Sequence, residues 1–447
     1  MKYITRRNFL KKAAVTSAAL GFPTIIPSNI LGRNGRIPPS ERVNIGVIAC
    51  GNRSGVVKDY KNYDKSQVIA ICDPFKTRRL QRKKELGNCD DYNDFRELLT
   101  RDDIDAVHIS TADHWHVPIS LAAARAGKSM YTEKPLGISI QQDLASREII
   151  DKHNKIFQYG TQNRSMIHVR LGTELVLNGH IGDVKELYVW CPQGESGGSA
   201  TPVLPIPEGF DYDMWLGPAP EAPFCHDRCL NQTGRNGIFH IYDYAIGFIA
   251  GWGAHPMDQL QWWADNSGLA IPVQYEGTGT IPTEGLFNTI THWDMTCTYE
   301  NGLRMRFVDN QTARTKKIVP HIDEMEGFYH GTMYVGTEGW VTVTRSGWKV
   351  YPESLYQKAK DPGEKHLIES LNHREQFVDT LLNEQQPISD LKSAVLSDII
   401  CHLCDICIRS GQKILWDPIK ETIIGDTEIV KLMSRPMREP WNRYLQQ

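Results

Sequence analysis

A lysine set between a strand end and a proline is the first residue of this chain with an evident chemical use. Thr132-Glu133-Lys134-Pro135-Leu136 closes the run Lys128-Ser129-Met130-Tyr131. Proline fixes its own φ and biases the preceding residue towards extended backbone. The Lys134 ammonium is therefore aimed past the carboxyl end of the strand, where ligands bind in an open parallel sheet. There it can steady a developing oxyanion or, if desolvated, share in taking a proton. The plain alternative is a surface lysine before a turn. A second candidate is His255, in Gly251-Trp252-Gly253-Ala254-His255-Pro256-Met257-Asp258, where a loop gives way to a helix from about His255 to Trp263. Imidazole titrates near neutrality and suits proton transfer; the alternative is a hydrogen-bonding residue at a helix start. His114 and His116 could ligate zinc from a loop, but no Glu-x-x-His or second cluster accompanies them, and no metal is expected.

The elements that would position these groups alternate in type. Val43–Ile48 reads as a buried parallel strand running into the small-residue turn Ala49-Cys50-Gly51-Asn52-Arg53-Ser54 and a helix from about Ser54. Such a turn lets a pyrophosphate sit on a helix N-terminus. The glycine pattern is imperfect: only Gly51, where backbone must approach phosphate, is kept, and Ala49 and Ser54 take the other positions. Gln67–Cys72 is a second strand, tipped by Asp73. An acid there accepts from the adenosine ribose hydroxyls and repels a 2′-phosphate, which favours NAD over NADP, with Arg53 and Arg78 able to soften that choice. Asp73 could equally serve as a local cap before Pro74. A helix follows over Lys76–Leu86, then the strand Asp105–Thr111, the helix Ile119–Ala126, and the strand that ends at Lys134. Strands and helices joined by short links predict a doubly wound parallel sheet.

This order of motifs resembles the Gfo/Idh/MocA oxidoreductases: strand and glycine turn, acid-tipped strand, Ser110-Thr111-x-x-x-x-His116, then Glu133-Lys134-Pro135. Gly160-Thr161-Gln162-x-Arg164, Asn178-Gly179-His180-Ile181-Gly182 and the C-terminal run from Trp416-Asp417-Pro418 to Ser434-Arg435-Pro436 continue it. The resemblance implies NAD held by Gly51, Asn52, Arg53, Asp73, Ser110, Thr111, His116 and Glu133, with Lys134 and His255 catalytic beside the nicotinamide. It places substrate contacts at Gln162, Arg164, Tyr242, Asp243 and Asp258; Asp258, one turn along from His255, could also orient that imidazole. The family pattern Asp-x-Gly-x-His-x-x-Asp is broken here: Gly251 stands at the first aspartate, and Asp243 is a candidate to replace it.

From about Arg164 the texture changes. Met166–Leu177 reads as a bridging helix. Lys185–Trp190, Asn288–Tyr299, Leu303–Val308, Gly331–Val335 and Gly339–Thr344 read as strands of a large, mainly antiparallel sheet, with Val203–Pro223 a long ordered loop. The final helices, about 371–384, 391–409 and 426–433, are placed at the domain junction. The fold class is therefore α/β plus α+β, divided as a leader and linker over 1–38, an NAD-binding Rossmann domain over 39–163 and a substrate domain over 164–447.

The leader is an address. Thr5-Arg6-Arg7-Asn8-Phe9-Leu10-Lys11-Lys12 and the mild apolar run Ala13–Phe22 match a twin-arginine export signal. That run is too short to span a bilayer, so the expectation is a periplasmic protein with no stable membrane insertion beyond an uncleaved signal. The formal charge of −3, with 44 basic against 53 acidic residues once the first 33 are set aside, argues against a phosphate-backbone partner. Ten cysteines show no disulfide framework; Cys401, Cys404 and Cys407 read as buried small residues on one helix face, and Cys225 and Cys229 are left open as a pair. Aromatic residues around the expected cleft suit the apolar faces of sugar rings. The combined reading is an exported NAD(H)-dependent oxidoreductase acting on a ring hydroxyl of a sugar or glycoside, with tightly held cofactor. The alternatives are a glycosidase working through transient oxidation and a sugar-binding relative without activity. An exposed sheet face in the second domain would also suit self-association.

Overall fold

The apolar run that starts the first domain becomes β1 (Val43–Ile48), buried at every residue, as a central strand covered on both faces must be. The computed structural model describes residues 37–38, 41–87, 89–198, 202–229 and 237–446; the twin-arginine segment lies outside them. After β1 come β2 (Ser66–Cys72), α1 (Lys76–Leu86), β3 (Asp90–Tyr92), β4 (Ala106–Ile109), α2 (His116–Arg125), β5 (Ser129–Thr132), α3 (Ile140–Lys152) and β6 (Phe157–Tyr159). The strands form one sheet in the order β3-β2-β1-β4-β5-β6, parallel at every pairing. The chain leaves β1 in one direction and returns to its other side at β4. That reversal opens a crevice at the carboxyl ends of β1 and β4. One detail differs from the sequence reading: β1 is followed by a 3₁₀ turn, Asn52–Val57, and α-helix begins only at Lys58.

The chain then crosses on α4 (Ile167–Leu177) into a nine-stranded sheet. Its strands are β7 (Val184–Cys191), β8 (Gln274–Thr280), β9 (His292–Thr298), β10 (Arg304–Asp309), β11 (Gly331–Gly336), β12 (Trp340–Val343), β13 (Trp348–Tyr351), β14 (Ile414–Asp417) and β15 (Thr422–Ile424). Their order is β13-β12-β11-β7-β10-β9-β8-β14-β15. Only β10 and β7 pair in parallel; the other pairings are antiparallel. Alternate residues of β9 (Trp293, Met295, Cys297) are buried, the period-two pattern of a sheet with one packed face. Strands β8, β13, β14 and β15, towards the two ends of this sheet, are absent from the sequence reading.

Helices α5 (Ala254–Ser267), α6 (His373–Asn383) and α7 (Leu391–Ser410) complete the core. Phe377 and Val378 of α6 join Val43, Ile45 and Val47 of β1 in one apolar cluster, so a late helix covers the first sheet. Cys401, Cys404 and Cys407 of α7 are buried thiols; Cys404 lies 3.7 Å from Cys297 of β9 and no bond joins them. None of the ten cysteines is in a disulfide, Cys225 and Cys229 included. His402, on another face of α7, meets Asp143 of α3 at 3.3 Å and Asp398 at 3.5 Å. Among the described residues no helix is long and apolar enough to cross a membrane.

Candidate active site

The crevice above β1 is a cavity of about 690 Å³ lined by Gly51, Asn52, Arg53, Asp73, Ser110 and Thr111, among others, a volume suited to a cofactor. Its floor is built from backbone. Asp73 fixes the turn by accepting from the Cys50 N–H at 2.7 Å and the Phe75 N–H at 2.8 Å. Burial raises its pKa, opposed by Arg78 and by those two N–H groups. Asp73 thus acts as a local cap while still facing the cavity. A Cβ built on Gly51 would meet only the Arg78 Nη1, at 3.9 Å, so the backbone is bare on that side. Ala49 takes the first glycine position at φ 81°, in the left-handed region. Ser110 Oγ and Thr111 Oγ1 are buried without hydrogen-bond partners, a cost that a bound polar ligand removes. Bare backbone, an acid at the second strand and orphaned hydroxyls fit a dinucleotide. The roof comes from the middle of the chain: Met214, Trp215, Ile238 and Phe239 line the same cavity. The stretch carrying Met214 is stitched down by Lys76 N–H to Gly209 O (2.9 Å) and Asp211 N–H to Pro74 O (2.9 Å).

Lys134 emerges from the end of β5 and donates to the carbonyl oxygen of Gly251. A main-chain acceptor thus stands at the position where the resembled pattern has an aspartate. The ammonium lies 5.9 Å from the Trp252 ring centre. The His255 ring is 6.1 Å from Trp252 and 6.0 Å from His330, and His330 is 5.5 Å from Trp252. Lys134 and His255, 121 positions apart, therefore share one indole wall. Burial lowers the Lys134 pKa, with Asp113 and Glu133 opposing. Burial, then Lys134 and Arg345, push His255 well below the ordinary histidine range, and His330 falls to about 4 for the same leading reason. Both imidazoles are neutral at physiological pH. His255 Nδ1 and His330 Nε2 are buried without a hydrogen-bond partner.

Glu133, beside Lys134, takes Arg53 at 2.8 Å, so Arg53 is drawn to this end of the crevice and away from the ribose end at Asp73. With its amide oriented to satisfy both ends, Gln162 donates to Gly160 O at 2.6 Å and accepts from Arg53 at 2.6 Å and Arg345 at 3.2 Å. His116 is held between Pro135 O (2.6 Å) and Thr111 O (3.2 Å); it braces the lysine loop against the β4 loop. The neighbouring His114 sits on Trp215 O at 3.2 Å.

Arg164 and Asp258 are placed differently. They form a buried two-pronged pair at 2.6 and 2.7 Å, and Arg164 also donates to Ile388 O at 3.1 Å and to Ser393 Oγ. Asp258 accepts from Ser389 Oγ at 3.2 Å. That pairing is a joint between helices, with no hydrogen bond from Asp258 to His255. Tyr242 donates to Asp405 at 3.0 Å, with the guanidinium carbons of Arg409 and Arg435 3.4 and 3.5 Å from its ring centre. Asp243 is exposed, unlike the enclosed groups around Lys134.

Three residues absent from the sequence reading belong to the cluster. His330 had no local signal, being a lone histidine before β11. Arg345 sits in the turn between β12 and β13, where only the fold brings it to Gln162. Asp113 is buried with Oδ2 unpartnered; burial raises its pKa and Lys134 opposes. Asp113 thus acts on Lys134 electrostatically from the first domain.

A parallel dinucleotide-binding sheet joined to a mixed, mainly antiparallel sheet defines an NAD-binding oxidoreductase fold. The model for the oxidoreductase family NAD-binding Rossmann fold matches residues 43–161, and that for the oxidoreductase family C-terminal alpha/beta domain matches 187–443. The chain belongs to the Gfo/Idh/MocA oxidoreductase family. It is 30% identical over 165 residues to a glycosyl hydrolase family 109 protein of Shewanella sp. ANA-3, spanning 32% of this chain and 36% of that protein. It is 31% identical over 167 residues to an alpha-N-acetylgalactosaminidase of Shewanella oneidensis, with the same coverage. The chain thus spans about a third of these relatives' length. In fold it is similar to the WlbA dehydrogenase of Bordetella pertussis, solved with NADH and UDP-GlcNAcA (TM-score 0.61, 13% identity, 84% of this chain and 98% of that one). It is also similar to an aldose-aldose oxidoreductase of Caulobacter crescentus (TM-score 0.58, 14% identity, 84% and 99%).

Proposed function

We propose that the protein oxidises a ring hydroxyl of a sugar or glycoside, with NAD held in the crevice above Gly51. The observation that carries this reading is the convergence of Lys134 and His255 on Trp252. The chemistry supplied by a bound nicotinamide is hydride acceptance. The neutral His255, with Nδ1 unpartnered, takes the hydroxyl proton. The Lys134 ammonium donates to the same oxygen and stabilises alkoxide character as the proton leaves. Gly251 O holds the ammonium in place meanwhile. Trp252 offers an apolar face to the sugar C–H groups. The roof of Met214, Trp215 and Phe239 supports retention of the cofactor between turnovers.

A second reading is net glycoside hydrolysis, favoured by the names of the Shewanella relatives. Oxidation at one ring carbon acidifies the neighbouring C–H and permits elimination at the anomeric carbon; water addition and reduction then return the cofactor to its starting state. Products separate the two. A keto-sugar with stoichiometric NADH marks a dehydrogenase, and a free sugar at its original oxidation level with no net NADH marks a hydrolase. Absence of bound nucleotide in the purified protein, with none taken up on addition, would overturn both. Arg6-Arg7 and the mild apolar run after it support export to the periplasm in folded form, which suits a retained cofactor. Replacing both arginines by lysine should hold a fused reporter in the cytoplasm.

A further inference from the structure

The cluster around Lys134 carries more positive charge than its own acids cancel. Arg53, Lys134 and Arg345 act on one another electrostatically. Glu133 is committed to Arg53 at 2.8 Å, and Asp113 interacts electrostatically with Lys134. His255 and His330 add no negative charge. Arg345 is left with the Gln162 amide at 3.2 Å and, among the described residues, no ion pair. Several other partly or fully buried arginines meet an acid, as Arg79 does Asp91, Arg82 Glu85, Arg164 Asp258 and Arg374 Asp59, while Arg228, Arg314 and Arg435 donate to main-chain carbonyl oxygens instead. Arg78 has no ion pair either, and it lines the cofactor cavity. Arg345 does not line that cavity.

The turn that presents Arg345 is stiff. Thr344 Oγ1 bonds Gly347 O at 2.9 Å and accepts from the Ser346 and Gly347 N–H groups at 3.1 Å, and Thr344 O accepts from His168 at 2.8 Å. A partly desolvated guanidinium on a fixed turn, whose acid, Glu133, is already paired with Arg53, contributes little to stability. Its planar fork matches a carboxylate or an ester anion in two-pronged fashion.

We propose that the substrate is an anionic sugar and that Arg345, braced by Gln162, holds its acid group. The inference rests on the sugar reading above and names its substrate class. Binding to the NAD-loaded protein is measured by calorimetry for matched neutral and acidic pairs in the gluco and galacto series: methyl glycoside against methyl uronide, and free sugar against its 6-phosphate and 6-sulfate. The acid member should bind about tenfold more tightly or better, as a charge-assisted contact warrants. Arg345→Gln should erase the preference while leaving NAD content and melting temperature unchanged. Carboxylate and ester arms tell which acid is taken. Equal binding of neutral and acidic members overturns the inference and leaves sugar oxidation standing. Loss of NAD from Arg345→Gln assigns the guanidinium to the cofactor and overturns it. Failure of every sugar to bind overturns both readings.

Discussion

Two buried charged assemblies lie close together in this fold and are built in opposite ways. Arg164 and Asp258 spend their polar atoms on each other, on Ile388 O and on Ser389 and Ser393. Around Lys134, by contrast, His255 Nδ1, His330 Nε2 and Asp113 Oδ2 are enclosed without hydrogen bonds. Burial alone therefore does not mark function. A satisfied buried pair holds helices together; an unsatisfied one awaits a ligand whose groups complete it.

The two assemblies should respond to substitution in opposite ways. Lys134→Ala should lower turnover about 10³-fold while bound NAD, read from the released nucleotide, stays at the wild-type level. Arg164→Leu should instead cost about 3–5 kcal/mol of stability, since it strands Asp258. Chemical denaturation measures that loss, and the double variant Arg164→Leu, Asp258→Leu should recover much of it. Equal stability losses for Lys134→Ala and Arg164→Leu would erase the distinction.

A pH profile sharpens it. His255 works as a neutral base, and burial pushes its pKa down. Protonation removes the base only once pH falls through that lowered value. The acid limb of kcat/KM should therefore lie below the ordinary histidine range near about 6.5, with activity kept through mildly acid pH. A limb centred on the ordinary value would point to another base. The smallest effect is expected at Gly51→Ala. The added methyl meets no protein atom closer than 3.9 Å, so the melting temperature should hold. It projects where the nucleotide backbone must approach, and NAD binding should weaken by about tenfold, the scale of a modest steric intrusion.

Much of the scaffold was legible because it is written locally. The apolar runs of β1, β2 and β4, Asp73 at a strand tip and Lys134 before Pro135 are short-range signals. So is the His255 stretch, once the family order is seen. What stayed hidden is long-range. Arg164 and Asp258 read as substrate groups because nothing within 94 positions shows that each has the other. Tyr242 read as a substrate contact, and nothing local shows that Arg409 and Arg435 reach its ring from distant segments. His330 and Arg345 sit at a strand start and in a turn, positions that carry no chemical signature until the nine-stranded sheet closes on the first domain. Gly251 misled in an instructive way: a lost side chain suggested lost chemistry, yet its carbonyl oxygen takes the lysine.

The proposed oxidation depends on one imidazole taking a proton next to one ammonium. Single-turnover reduction of the bound nicotinamide by a glycoside, followed optically in His255→Gln and in the wild type, tests that dependence most directly. The rate should fall by about 10²-fold or more in the variant with cofactor content unchanged. An unaltered rate would show that the proton leaves by another route and would contradict the site described here.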